Sequence, residues 1–158
     1  MCARSSERGF TLPELIAVLL VAAVLAVTVM PKFDAALSLR NDTWRDEVVA
    51  ALRTAHQTAV SHRRLVCASV AGGSVTLTIA AVNPASACGA ALPGPSGAAA
   101  YTTSTGGASA SVSPAGTLYF QPSGRVTSDG AGNTVSSRTI SIGGASDITV
   151  VGETGHVR

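Results

Sequence analysis

The chain has 158 residues, with 11 Lys and Arg against 9 Asp and Glu, and aromatic residues make up only 4%. Once an apolar amino-terminal stretch is set aside the remainder supports one small domain and not two, and with so few aromatic side chains its core must be thin. A net charge of +2 gives no bulk electrostatic support for a nucleic-acid partner. The first element in chain order is a basic leader, Met1 to Gly9, followed by a charge-free apolar run from Leu15 to Met30 with one carboxylate, Glu14, at its front. Phe10 to Met30 as a helix spans about 31 Å at ~1.5 Å per residue, which is membrane length. A carboxylate at the bilayer centre costs roughly 2.5–3.5 kcal/mol on insertion scales, so Glu14 needs a partner.

A secretory signal places its cleavage site after the apolar region, near small residues. Here the order is reversed. A plain membrane anchor accounts for the length of the run and leaves Glu14 unexplained. The segment Gly9-Phe10-Thr11-Leu12-Pro13-Glu14-Leu15 resembles the processing site of type IV pilins and type II secretion pseudopilins. That resemblance implies cleavage between Gly9 and Phe10 by a prepilin peptidase, N-methylation of Phe10, and pairing of Glu14 with the amino-terminal nitrogen of a neighbouring subunit. It also implies insertion in the bacterial inner membrane as a single-pass protein, with the carboxy-terminal domain in the periplasm. Membrane lipid surrounds the chain before assembly; the later partners are other pilins or pseudopilins and an inner-membrane assembly platform. Removing Arg4, Glu7 and Arg8 with the leader leaves side chains of net charge +1.

Pro13 would clash with the carbonyl of Gly9 in a continuous precursor helix. The first four amides of a mature helix have no intrahelical partner, so the proline is tolerated there, and it biases Leu12 toward extended geometry. Pro31 reads as a kink or as punctuation between the span, residues 10–31, and the soluble part of the chain.

From residue 32 to 64 the apolar positions Phe33, Leu37, Trp44, Val48, Leu52, Ala55 and Ala59 recur at helical spacing, with Arg40, Asp42, Arg45, Asp46 and Arg53 between them. This predicts an amphipathic helix to about His62, with Trp44 in the core. From residue 65 to 158 a β domain is expected. Leu65 to Ser69 and Ser74 to Ala80 form a hairpin about Ala71-Gly72-Gly73, and further strands lie at Thr117 to Gln121, Arg138 to Ile142 and Ile148 to Val151. Residues 83–114, rich in Ala, Gly, Ser and Thr, are expected to be largely loop, with one edge strand near Tyr101 to Thr103. The fold class is α+β: a long helix, half membrane and half amphipathic, packed on a small antiparallel sheet as in pilins.

Cys2 leaves with the leader, so Cys67 and Cys88 remain as a disulfide or as two free thiols. A bridge would close a loop of about 21 residues and contribute near 3 kcal/mol. Their spacing matches no zinc or redox motif. His56, His62 and His156 are not placed to share a metal and read as surface residues. No catalytic constellation, cofactor or metal is expected, and the protein reads as a structural subunit rather than an enzyme.

Leu118-Tyr119-Phe120-Gln121-Pro122-Ser123-Gly124-Arg125, the final strands and Gly155-His156-Val157-Arg158 resemble the GspH/FimT group of minor pilins and pseudopilins. Some FimT-like members bind DNA in natural transformation through a Gly-Arg-x-Arg tail. This chain departs from that motif, because His156 stands where the first arginine would be, and a histidine is mostly neutral near pH 7.5. Arg125, Arg138, His156 and Arg158 are the candidate DNA contacts, with Arg63 and Arg64 as further cations. The two readings carried forward are a filament-assembly subunit of a type II secretion pseudopilus or type IV pilus, and a DNA-binding minor pilin.

Overall fold

The computed structural model describes residues 11–158, excluding the side chains of residues 27–38. The chain divides into two compact units, one reaching to Leu37 and the other comprising Ser38–Arg158. A single helix, α1 (Leu12–His62), contributes to both.

In the first unit every side chain from Thr11 to Ala26 is exposed, including Leu19, Leu20 and Val24 at 61, 63 and 65%. A helix this apolar, with no polar face, is suited to being covered by lipid or by other helices. The helix starts at Leu12, so the bias that Pro13 places on its neighbour does not hold Leu12 out of the helix. Beyond it, α1 continues past Pro31, which does not interrupt it.

In the second unit the rest of α1 buries one stripe. Trp44, Val48, Ala51, Leu52, Ala55 and Ala59 are at most 2% exposed, at the three- and four-residue spacing that puts them on one helix face. Three of the six are alanines, which allow the backbone of α1 to lie close to the strands it covers. Arg63 and Arg64 close the helix. Arg63 adopts a left-handed conformation (φ 52°), and the amides of Arg63 and Arg64 donate to the carbonyls of Val60 and Ala59 at 3.3 and 3.1 Å. That pattern is a Schellman cap with arginine where glycine is usual.

The β domain contains two antiparallel sheets rather than one. The first comprises β1 (Val66–Ala71), β2 (Ser74–Ile79), β3 (Ala90–Leu92), β4 (Thr102–Thr103), β6 (Leu118–Phe120) and β7 (Val126–Thr127). Its order is β3-β2-β1-β6-β7, and β4 also lies on β2. The second is β5 (Ala110–Ser113), β8 (Arg138–Ile142) and β9 (Ile148–Val150), in the order β5-β8-β9. The β1-β2 hairpin pairs from Val66↔Ile79 to Ala71↔Ser74, turning through Gly72, whose φ of +54° suits a residue without a Cβ. Residues 83–114, expected to be mostly loop, hold three strands. β3 and β4 take successive parts of the free edge of β2, and β5 joins the second sheet. These segments are too short and too poor in large side chains to show a period of two, and pairing with an existing edge is what makes them strands.

One core unites the stripe of α1 with Val66, Ala68, Val75, Leu77, Leu118, Phe120, Ile140, Ile148 and Val150. On the outer side of the first sheet a smaller cluster of Leu65, Cys67 and Ala80 packs with Ala85, Cys88 and Tyr119. Cys67 and Cys88 are joined there as a disulfide, with Cα atoms 6.0 Å apart. The bond ties the segment after β2 down over the outer face of β1, where few large side chains are available to hold it.

Candidate functional site: the first turn of α1 and the carboxy-terminal tail

Gly9 and Phe10, the expected processing pair, lie outside the described residues. The structure begins beside them. Leu15 donates its amide to the carbonyl of Thr11 at 3.1 Å, which puts Pro13 and Glu14 in the first turn of α1. Glu14 is exposed there. A carboxylate in a first turn also interacts favourably with the partial positive charge of the helix amino terminus, by ~0.3–1 kcal/mol. Among the described residues no helix is long and apolar enough to cross a membrane. The expected span, residues 10–31, runs beyond them at Phe10 and, for its side chains, after Ala26.

The candidate tail cations do not form a single surface. Arg138, proposed from sequence as a DNA contact, is only 4% exposed, and its Nη1 donates to the carbonyl of Pro114 at 2.6 Å. Its Nε has no partner among the described residues. A guanidinium held inside the domain cannot meet a phosphate, so the proposed role for Arg138 is corrected to a buried, structural one. The signal was present in the sequence: Arg138, Ile140 and Ile142 alternate along β8, and the two isoleucines mark the inner face.

Arg125 is exposed but neutralised, with Nε and Nη2 donating to Oε2 of Glu153 at 3.1 and 2.9 Å. His156 and Arg158 are exposed. Their backbone is not loose. Val157 is buried and bridges to Val150, and Thr149 and Arg158 exchange amide–carbonyl bonds of 2.8 and 3.1 Å. The tail thus lies along the free edge of β9, blunting an edge that would otherwise template another strand.

The tail also contacts α1. Nη2 of Arg53 donates to the carbonyl of Val157 at 3.0 Å. His56 is half-buried rather than a plain surface residue: its Nε2 lies 3.2 Å from the carbonyl of Gly124, and its ring stands edge-on to Phe120 at 6.3 Å between centroids. A carbonyl only accepts, so Nε2 carries a proton. Gly155 (φ +66°) passes so close that a Cβ would collide with the His56 ring and the Gly124 carbonyl. The glycine of this tail is therefore required by packing. The reading of His56 as a surface residue overlooked that it follows Leu52 by four residues along α1, and only the fold brings residues 53–57 to residues 154–157.

Near this end the turn after β7 is fixed by Asp129, whose carboxylate accepts the amides of Asn133 and Thr134 at 3.1 and 2.8 Å. These bonds favour the charged form and hold the carboxyl below its usual range, against a smaller opposing effect of desolvation. Among the described residues no group of His, Cys, Asp or Glu could hold a metal ion.

Residues 4–30 match the family described as the prokaryotic N-terminal methylation motif. The structure resembles the type IV minor pilin FimU of Pseudomonas aeruginosa in two crystal forms. In one, identity is 19%, the match covers 74% of this chain and 85% of FimU, and the TM-score is 0.51. In the other the identity and the coverage of this chain are the same, 90% of FimU is covered and the TM-score is 0.50. No curated protein matches the chain in sequence. The likeness establishes the pilin fold, an amino-terminal helix packed on antiparallel sheets. Motif and fold together indicate a structural subunit and not an enzyme.

Proposed function

We propose that this chain, with its N-terminal methylation motif and pilin fold, is a minor pilin that assembles with other pilin-like subunits after cleavage between Gly9 and Phe10 and methylation of Phe10. The observation that carries this reading is the pairing of an apolar, exposed helix bearing one carboxylate in its first turn with a second unit of pilin fold. Before assembly the apolar half of α1 sits in the bacterial inner membrane, with Ser38–Arg158 in the periplasm. On extraction into a filament, Glu14 pairs with the amino-terminal nitrogen of a neighbour, which removes the cost of a lone carboxylate in an apolar setting. The resemblance to a type IV minor pilin favours a type IV pilus over a secretion pseudopilus. The alternative of a DNA-binding minor pilin is weaker on this surface, since Arg138 is buried and Arg125 is paired.

Intact-mass spectrometry of membrane-extracted protein, produced with and without an active prepilin peptidase, tests the reading. The expected species begins at methylated Phe10 when the peptidase is present and at Met1 when it is absent. An uncut chain beside a working peptidase would make this a plainly anchored domain and remove the roles given to Gly9, Phe10 and Glu14.

A further inference from the structure

A cleft of about 360 Å³ opens between α1 and the carboxy-terminal tail, lined by Arg53, His56, Gln57, Thr154, His156 and the backbone about Gly155. Among the described residues no acidic side chain lines it. The nearest acidic side chain in sequence, that of Glu153, is bound to Arg125 at 2.9 Å. Arg53 uses one nitrogen on the Val157 carbonyl, and its other guanidinium donors have no partner among the described residues. His156 is exposed and lines the cleft, and neither its ring nor the Gln57 side chain has a protein hydrogen-bond partner among the described residues.

The arrangement is more than a solvated cation. The bond from Arg53 to the tail fixes the guanidinium at the cleft, so less side-chain entropy remains to be lost when a ligand arrives. The close approach at Gly155 fixes the opposite wall, with His56 wedged beneath it. Side chains from two elements thus line one cleft, and beyond the bonds from Arg53 to the Val157 carbonyl and from the His156 amide to Oγ1 of Thr154 the donors of Arg53, Gln57 and the His156 ring have no protein acceptor among the described residues.

We propose that this cleft is a binding pocket for a compact oxyanion, a carboxylate or phosphate group, with Arg53 and His156 as its principal contacts and Gln57 and Thr154 as neutral hydrogen-bond partners. His56 supplies an additional N–H only in its doubly protonated form, because its Nε2–H is already committed to Gly124. The pocket is a property of the Ser38–Arg158 unit and does not depend on whether the chain assembles into filaments.

The test is an NMR titration of the full chain in detergent micelles at fixed pH, following the ring resonances of His56 and His156. Sodium phosphate and sodium acetate are added separately, with sodium chloride at matched ionic strength as the control. A saturable shift in the millimolar range with phosphate alone supports a phosphate-bearing ligand. The same result with acetate alone supports an acidic side chain, and a response to both supports recognition led by charge. Arg53→Gln should weaken binding by about five- to tenfold and Arg53→Lys should restore part of it. Amide exchange at Thr149 and Arg158 shows whether the tail stays docked in these variants. If Arg53→Gln frees the tail, His156→Gln, whose backbone is held independently, takes its place. Absence of a saturable shift with either anion, or an equal response to chloride, overturns the proposal.

Discussion

The two halves of α1 obey the same helical geometry and meet opposite fates. From Leu12 to Ala26 every side chain is exposed and nearly all are apolar, whereas from Trp44 to Ala59 one apolar stripe is sealed against two sheets. The difference lies in what each half is built to meet. The first half has apolar residues on all sides and one carboxylate near its start, so its energetics wait on lipid or on other subunits. The second has a polar side, and its partners are in the same chain.

Substitutions separate the two halves. The largest expected effect is on assembly: Glu14→Ala should lower incorporation into sheared filaments by tenfold or more, about 1.4 kcal/mol or above, while cleavage at Gly9 continues. Normal filament content, measured by quantitative immunoblot, would break the proposed link between Glu14 and assembly. Next is the core. Phe120→Ala should destabilise the Ser38–Arg158 unit by about 3–5 kcal/mol, read from denaturant unfolding of the full chain in detergent. Leu19→Ala, at an exposed position, should change the same transition by less than about 0.5 kcal/mol.

The outer face of the first sheet offers a comparable test. Opening the Cys67–Cys88 bridge with the Cys67→Ser, Cys88→Ser pair should cost about 3 kcal/mol, because a loop closed in both states is then free in the unfolded chain. A smaller gain is expected at the end of α1. Arg63→Gly should stabilise by about 0.5–1 kcal/mol, since it keeps the cap while relieving a left-handed residue of its Cβ. Thermal unfolding followed through Trp44, the only tryptophan, reports both.

The smallest effect concerns pH. The folded state holds the Asp129 carboxyl below its unfolded value, so its contribution is present above the unfolded value of about 3.8 and fades as pH falls through the lower folded value. Asp129→Asn should therefore be slightly less stable than the parent near pH 6, and the two should converge in strong acid. A difference in unfolding midpoint that grew on acidification would contradict the role given to the Asn133 and Thr134 amides.

The legible parts of the fold were those with a strong period. The stripe through Trp44 and Ala59, the β1-β2 hairpin about its glycines, and strands β6, β8 and β9 each carry large apolar side chains at the spacing their element requires. Strands β3, β5 and β7 lack that signal. They are two to four residues long and exist because a neighbouring edge supplies hydrogen-bond partners. The candidate site divides in the same way. Glu14 stands out locally because it is a lone charge in an apolar run. Arg138 was read as a surface cation because charge suggested solvent, although its alternation with Ile140 and Ile142 pointed inward.

By itself the sequence determined the local and periodic features: an apolar run with one carboxylate, an amphipathic continuation, and paired strands around glycine turns. These depend on side-chain spacing within a few residues, which a linear chain displays directly. Only the tertiary structure decided that Arg125 is neutralised by Glu153, and that Arg53 and His56 of the helix meet a tail some hundred residues later. Those outcomes depend on which distant segments share an edge or a face, and long-range pairing leaves no periodic trace in the residues that take part.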